Sequence, residues 1–428
     1  MADRPRIVQL VEEGSDELRR HVIALASGLK ARGIETHVVG PLSRQFRDEL
    51  SHQGIRWVNL PLPSELSPRS LAPAAQTVAR FIRNAEPIAV HAHGLAAGAT
   101  AARALTGLNS ASAAPPLVFT PHVYPRDTGG FRERRTRRDA LGRTLDASHA
   151  VIASTQSERE QIIRAAGKRK GALDARLFVV PPGVERRRQS SLFDVGEKRY
   201  SVGLHRDASI VVTATPLDDS APVADFVQTA ALVSTSVPSV EFAVIGEGPE
   251  LESLQALAHE LGLFGSTVFL PWRPDTLDII STCNVYVALT DDAAGIAYTL
   301  EALARDLRIV GRDLPAIREV FGQALSLPLV SLDDRQAFAD AILQQLEGMS
   351  GDEEERVRTV EGFAWGMDEV LASQDEYDLD RPGLDPRDRR AQEETDIERL
   401  LSRYSVANMV EGVVEVYNRI LSDTSSAI

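Results

Sequence analysis

Two successive doubly wound α/β domains, each built on a parallel sheet, are what this sequence predicts. Three observations carry that expectation. The chain opens with a strand–helix–strand pattern, which builds parallel sheet. A second series of the same kind begins at Ser209. At 428 residues the chain is long enough for two or three domains with sizeable cores.

In order, Ile7-Val-Gln-Leu-Val reads as a strand, Glu12-Glu-Gly-Ser as a loop, and residues 16–32 as an amphipathic helix with Val22, Leu25 and Leu29 on its apolar stripe. Gly33 closes that helix and Glu35 to Val39 is the next strand. Pro87-Ile-Ala-Val-His-Ala-His-Gly, Pro116-Leu-Val-Phe-Thr-Pro-His and Ala150-Val-Ile-Ala-Ser-Thr follow as apolar runs ending in polar or glycine turns. Such strand ends are where open α/β sheets place ligands. Phe178-Val-Val-Pro-Pro-Gly-Val-Glu reads as the last strand of the first domain. After it, Ser209-Ile-Val-Val-Thr-Ala opens the second domain, and Val240-Glu-Phe-Ala-Val-Ile-Gly-Glu-Gly-Pro-Glu gives a strand, a glycine turn and a proline near a helix start. The expected division is 1–187, a linker over 188–208, 209–346, an acidic and partly disordered insert over 347–400, and a helix within 401–428 that returns to the first domain.

Hydrophobic content of 43% and charged content of 25% are ordinary for a soluble globular protein. The lone cysteine, Cys283, lies in a predicted strand, so no internal disulfide forms and a reducing compartment fits. The opening residues lead into a strand-length apolar run rather than a signal core, and no run approaches the roughly 18–20 apolar residues that span a bilayer. A cytoplasmic location is expected, with the inner face of a membrane as a candidate surface.

Net charge is −14, which disfavours nucleic acid as a partner, but it is unevenly placed. Arg126 to Arg188 holds sixteen Lys/Arg against eight Asp/Glu, whereas Glu347 to Glu398 holds eighteen acids against six arginines. The basic region, with Arg134 and Arg135 in Phe131-Arg-Glu-Arg-Arg-Thr-Arg-Arg, suits an anionic membrane, where each base contributes about 1 kcal/mol. A solvated helix face is the plainer reading. The acidic insert suits a protein partner, or that same basic face.

The stretch Ala288 to Val320, in which Glu301-Ala-Leu-Ala begins a helix end before the strand Arg308-Ile-Val-Gly, resembles the donor-sugar site of retaining glycosyltransferases of the family-4 type. His21 to Val39 is similar to the first helix and second strand of that family, and His91-Ala-His93-Gly94 and Thr120-Pro-His122 to its acceptor-side motifs. The resemblance covers nearly the whole chain apart from the linker and the insert. It implies a GT-B fold, two Rossmann-like domains facing a cleft, and transfer of a sugar from a nucleotide-diphosphate donor without a protein-bound metal or other cofactor. It places His122 near the reacting sugar, with His91 and His93 on the acceptor side. It places Glu301 on the ribose, and Gly246 and Gly248 with Gly14 and Ser15 near the donor.

The sequence departs from the family at the donor. The family's basic pair falls on Leu217 and Pro222, its first glutamate on Ala293, and its glycine pair on Pro315-Ala316. Asp292, one position earlier than Ala293, is a candidate to replace that glutamate. A charge-assisted hydrogen bond is worth roughly 1.5–3 kcal/mol. Losing two weakens donor binding by about a hundred- to ten-thousandfold. The expectation is therefore a pseudo-glycosyltransferase acting as a binding or partner subunit in polysaccharide or glycolipid assembly. The alternative is an active retaining enzyme moving a hexose to a lipid or glycan acceptor. No cluster of cysteines and histidines with metal-ligand spacing is visible in the sequence.

Overall fold

The computed structural model describes residues 5–347 and 386–423, apart from 13, 15, 109–113, 123–129, 187–191, 219, 274, 291, 323–326 and 332. The first domain has strands β1 (Arg6–Val11), β2 (Glu35–Gly40), β3 (Arg56–Asn59), β4 (Ala89–His93), β5 (Leu117–Thr120), β6 (Ala150–Ala153) and β7 (Leu177–Val179). Its helices are α1 (Asp16–Ala31), α2 (Arg44–His52), α3 (Pro68–Ala85), α4 (Leu95–Leu108), α5 (Phe131–Ala147), α6 (Gln156–Ala166) and α7 (Lys170–Asp174). Next come α8 (Leu192–Ser201), β8 (Ser209–Ala214), α9 (Ser220–Ser236), β9 (Val240–Ile245), α10 (Leu251–Glu260), β10 (Thr267–Leu270), α11 (Thr276–Ile280) and β11 (Val285–Ala288). The described chain ends with α12 (Ala293–Leu303), β12 (Arg308–Arg312), α13 (Pro315–Phe321), β13 (Leu329–Val330), α14 (335–347), α15 (Pro386–Arg403) and α16 (Val406–Asp423).

Both sheets are parallel, with strand orders β3-β2-β1-β4-β5-β6-β7 and β10-β9-β8-β11-β12-β13. Each order reverses once, between β1 and β4 and between β8 and β11. Doubly wound sheets take ligands at the carboxyl ends of the strands beside such a reversal. The loops after β1, β4, β8 and β11 are therefore the ones that matter, and the GT-B fold is the result.

The buried faces follow from the apolar runs. In β1, Ile7, Val8, Leu10 and Val11 are all buried, as are Val22, Leu25, Ala26 and Leu29 on α1. Asp16 and Glu17 in the first turn of α1 and Lys30 in its last suit the helix dipole. Met409, Val410, Val413, Tyr417 and Ile420 of α16 pack with Ile7, Leu25, Leu29, Ala89 and Val118 of the first domain. Gly28 lets α16 approach, because a Cβ there would press into Val410.

The stretch expected as a linker, 188–208, contains α8, and Val202 and Leu204 just after the helix are buried in the second-domain core. Its polar look is explained by Arg199, whose buried guanidinium donates to the carbonyls of Thr282, Arg206 and Ala208 at 2.8, 2.8 and 3.0 Å. Most of the acidic insert, 348–385, lies outside the described residues, and its last part belongs to α15. Among the described residues no helix is long and apolar enough to cross a membrane.

Candidate functional site

The cleft has a first-domain wall rich in ionisable side chains. His91 and His93 alternate with apolar residues along β4, and both are fully buried. Gly94 follows with φ +89°, and a Cβ there would overlap the Glu12 carboxyl group. That carboxyl accepts from the Ala96 N–H at 2.6 Å, at the start of α4. Burial pushes the Glu12 pKa up to about 7, against the opposing pull of the Ala96 N–H and His122. His122, just after β5, adopts φ +57°. A non-glycine residue in that region carries strain, which concentrates at functional sites.

Glu17 and His21 lie one turn apart on α1 and so share a face. They meet the strand-end histidines. Glu17 Oε1 stands 3.7 Å from His122 Nδ1, and His122 Nε2 is 3.0 Å from His93 Nδ1. Burial is the largest influence on Glu17 and opposes its charge. His122, His21 and Arg20 together outweigh it and hold the carboxyl below its usual range. Burial drives His21 down to about 3 and His91 and His93 well below their ordinary value, so these imidazoles are neutral. His91 is fully engaged, with Nδ1 on the Tyr417 hydroxyl at 2.7 Å and Nε2 on the Thr120 hydroxyl at 2.8 Å. By contrast His93 Nε2 and Glu17 Oε2 are buried without a hydrogen-bond partner.

A third carboxyl, Glu158, completes this wall. Thr155 caps α6 by accepting from the Glu158 N–H, while the Glu158 carboxyl accepts from the Ser154 N–H at 2.6 Å. This is a variant of the reciprocal capping box. Burial pushes Glu158 up to about 7, and its charge is felt by both His122 and Asp292.

The second-domain wall is different in kind. Asp292 is the N-cap of α12 and its Oδ1 accepts from the Gly295 N–H at 2.8 Å. The expectation that Asp292 replaces the missing glutamate thus meets a side chain already engaged as a cap. Ala293 follows it, buried. Tyr298 stacks on Trp272, ring centroids 5.4 Å apart. Glu301 is held by Arg305 four residues on, and Arg20 of the first domain approaches it at 3.6 Å while lying over the Tyr298 ring. Leu217 is 0% exposed and belongs to the apolar core around Phe226 and Phe242.

Gly246 and Gly248 are required for packing onto their own domain. A Cβ at either would run into the backbone at Thr215 or Leu217, and Leu217 N–H donates to the Glu247 carbonyl at 2.9 Å. Gly14 likewise leaves room for Leu18. Ser15 lies outside the described residues. Pro315 opens α13, and Arg318 pairs with Asp313 on the surface. Glu319 of α13 accepts from the Gln156 and Ser157 N–H groups at 2.7 and 3.0 Å, so a second-domain carboxylate sits on the α6 N-terminus.

Of the residues singled out in the sequence, His93 and His122 come together and Glu301 reaches the same cleft through Arg20. His91 is turned to Tyr417. Arg134 and Arg135 lie exposed on α5, Arg135 3.9 Å from Asp139. Sequence reasoning missed Glu12, Glu17, Arg20, His21 and Glu158. Two signals were present: Glu17 and His21 at helical spacing, and Thr155-x-x-Glu158 as a capping pattern. The sequence shows no metal-ligand spacing, yet the fold gathers three histidines. His21, His93 and His122 each offer one nitrogen, all within 4.8 Å of one another. They come from three separate elements, so no sequence spacing could reveal them.

Two parallel-sheet domains facing a cleft lined by strand-end histidines on one side and the Glu301 helix on the other define a GT-B protein. The chain matches a glycosyl transferase 4-like domain over residues 18–183 and a glycosyl transferases group 1 domain over residues 209–348, and so belongs to the glycosyltransferase family in both halves. It is similar to the putative glycosyltransferase EpsD of Bacillus subtilis (strain 168), 26% identical over 186 residues, which cover 43% of this chain. That match spans about half of the relative, 49%. Among solved structures it resembles a glycosyltransferase from Rickettsia africae ESF-5 (TM-score 0.67, 14% identity, 98% of this chain and 100% of that one). It also resembles HepE of Anabaena in complex with UDP and glucose (TM-score 0.67, 16% identity, 96% and 98%).

Proposed function

We propose that this chain is a glycosyltransferase-fold protein that has lost the usual grip on a nucleotide-diphosphate donor and works as a binding or partner subunit, in polysaccharide or glycolipid assembly. The observation that carries the reading is Leu217. Where the family resemblance asks for a cation to meet a diphosphate, this chain has a side chain wholly buried in the second-domain core. Glu301, the ribose carboxylate of that resemblance, is taken up by Arg305 and Arg20. Asp292 is engaged as a helix cap. The basic α5 face is then a surface for anionic lipid, and the acidic segment a surface for a protein partner.

A second reading, an active retaining transferase passing a hexose to a lipid or glycan acceptor, is favoured by Arg20. Its guanidinium faces the cleft between Glu301 and Tyr298, a place from which a cation of the first domain can meet a phosphate. HepE, of similar fold, was captured with UDP and glucose. Incubation with UDP-, GDP- and ADP-sugars, with release of nucleoside diphosphate as readout, separates the two. Release no greater than in a protein-free blank is expected. Release that collapses in Arg20→Ala supports the second reading instead.

A further inference from the structure

The histidines of the first-domain wall form a constellation that the donor-site reading leaves unused. His21 comes from α1, His93 from the end of β4 and His122 from the turn after β5, with one nitrogen of each inside a 4.8 Å span. His93 Nδ1 and His122 Nε2 face each other at 3.0 Å. Two nitrogens bound to one tetrahedral zinc at about 2.0–2.1 Å stand roughly 3.3 Å apart, so this pair already has the spacing. The His21 ring closes the third side, its centroid 4.7 Å from that of His122 and 5.7 Å from that of His93.

Glu17 lies behind this group. Its Oε1 is 3.7 Å from His122 Nδ1, the nitrogen turned away from His93. A carboxylate on the far nitrogen of an imidazole is the arrangement that orients metal-bound histidines. Two atoms of the cluster are left over, since Glu17 Oε2 and His93 Nε2 are buried with no partner. A set of imidazoles with one carboxylate and no thiolate suits zinc and its neighbours rather than calcium or magnesium.

We propose that His21, His93 and His122 hold one divalent transition-metal ion of the zinc type, with Glu17 steadying His122 from behind and a water filling the fourth position. The site joins α1, β4 and the β5 turn at the cleft, and it is independent of whether a sugar donor binds.

The test uses the full chain, stripped with a chelator, dialysed and titrated with Co²⁺ alone and then with Zn²⁺. One Co²⁺ per chain with the visible bands of a four-coordinate ion is expected, displaced by one equivalent of Zn²⁺. Loss of the bands in His21→Gln and in His93→Gln, and their retention in the exposed control His259→Gln, support the site. Glu17→Gln is expected to weaken binding about ten- to a hundredfold. Failure of the wild-type chain to show four-coordinate bands overturns the proposal whatever the variants do. So does Co²⁺ binding that survives in the soluble His21→Gln chain with unchanged spectrum, which marks an adventitious surface ion.

Discussion

The two walls of the cleft are built from the same fold unit, yet their polar side chains stand in opposite states. On the first-domain wall Glu12, Glu17, His93, His122 and Glu158 are gathered in a buried space, two of the carboxyls are raised to about 7, and two polar atoms lack any partner. On the second-domain wall Asp292 caps a helix, Glu301 is held by Arg305, and the position of the donor's expected cation is a core leucine. The difference teaches where binding capacity resides. A site that recognises something keeps groups in reserve against its own folding, and here the reserve of ionisable groups is on the first-domain side, while on the second-domain wall the Tyr298 hydroxyl is buried without a partner.

The largest effect expected from breaking that contrast is at Leu217. Leu217→Arg, the change that restores the family's cation, should cost more than the roughly 2–5 kcal/mol of a buried leucine-to-alanine substitution, because a charge is placed in the core. Denaturant unfolding of the variant checks this, and a near-wild-type midpoint with new nucleotide binding would show that the position is open to the cleft after all.

Next in size is the pH dependence from Glu158. Its folded pKa of about 7 lies above the ordinary 4.5, so the folded state holds the proton more tightly. The stabilising contribution is complete below about pH 4.5 and is lost as pH rises through about 7, a change on the order of 3 kcal/mol for this group. Glu158→Gln should flatten the stability curve across that window and unfold at higher denaturant than the wild type at pH 8. An unchanged slope would remove the buried, raised carboxyl from the account.

A smaller loss, about 1 kcal/mol, is expected for Asp292→Ala through its cap on α12. Asp292→Asn or Asp292→Ser should recover most of it in thermal unfolding, which a catalytic carboxylate would not explain. The smallest effect belongs to Arg20→Ala, about 0.5–1 kcal/mol, since Arg20 reaches Glu301 at 3.6 Å while also paired to Asp16 on its own helix. Small-angle scattering should register a more open cleft. No change in the radius of gyration would mean that the remaining contacts, among them Glu319 on the α6 N-terminus and α16 on the first domain, keep the domains together.

The doubly wound fold was legible because β1, β4, β5 and β6 are mainly apolar runs that end in polar or glycine turns, a local signal. His93 and His122 were singled out through the family resemblance, at the end of β4 and just after β5. Glu17 and His21 were read only as part of the helix that Val22 and Leu25 bury, since helical periodicity reports the buried stripe and is silent about what the next strip meets. Arg20 and Glu301 are far apart in the chain and meet across the cleft, which no local pattern encodes. The cap made by Asp292 was not legible because a carboxylate one residue before a helix is equally a catalyst's position and a cap's. The α8 helix was hidden by its polar residues, of which Arg199 gives its donors to carbonyls that a polar linker would have left to water.

The measurement that tests the one-sided cleft most directly is calorimetric titration of the full chain with UDP, GDP and ADP and their sugar conjugates, at low and at physiological salt. The account predicts no heat of binding in the micromolar range for any of them. Micromolar binding of even one, abolished by Glu301→Ala, would show that the second-domain wall holds a donor and would contradict it.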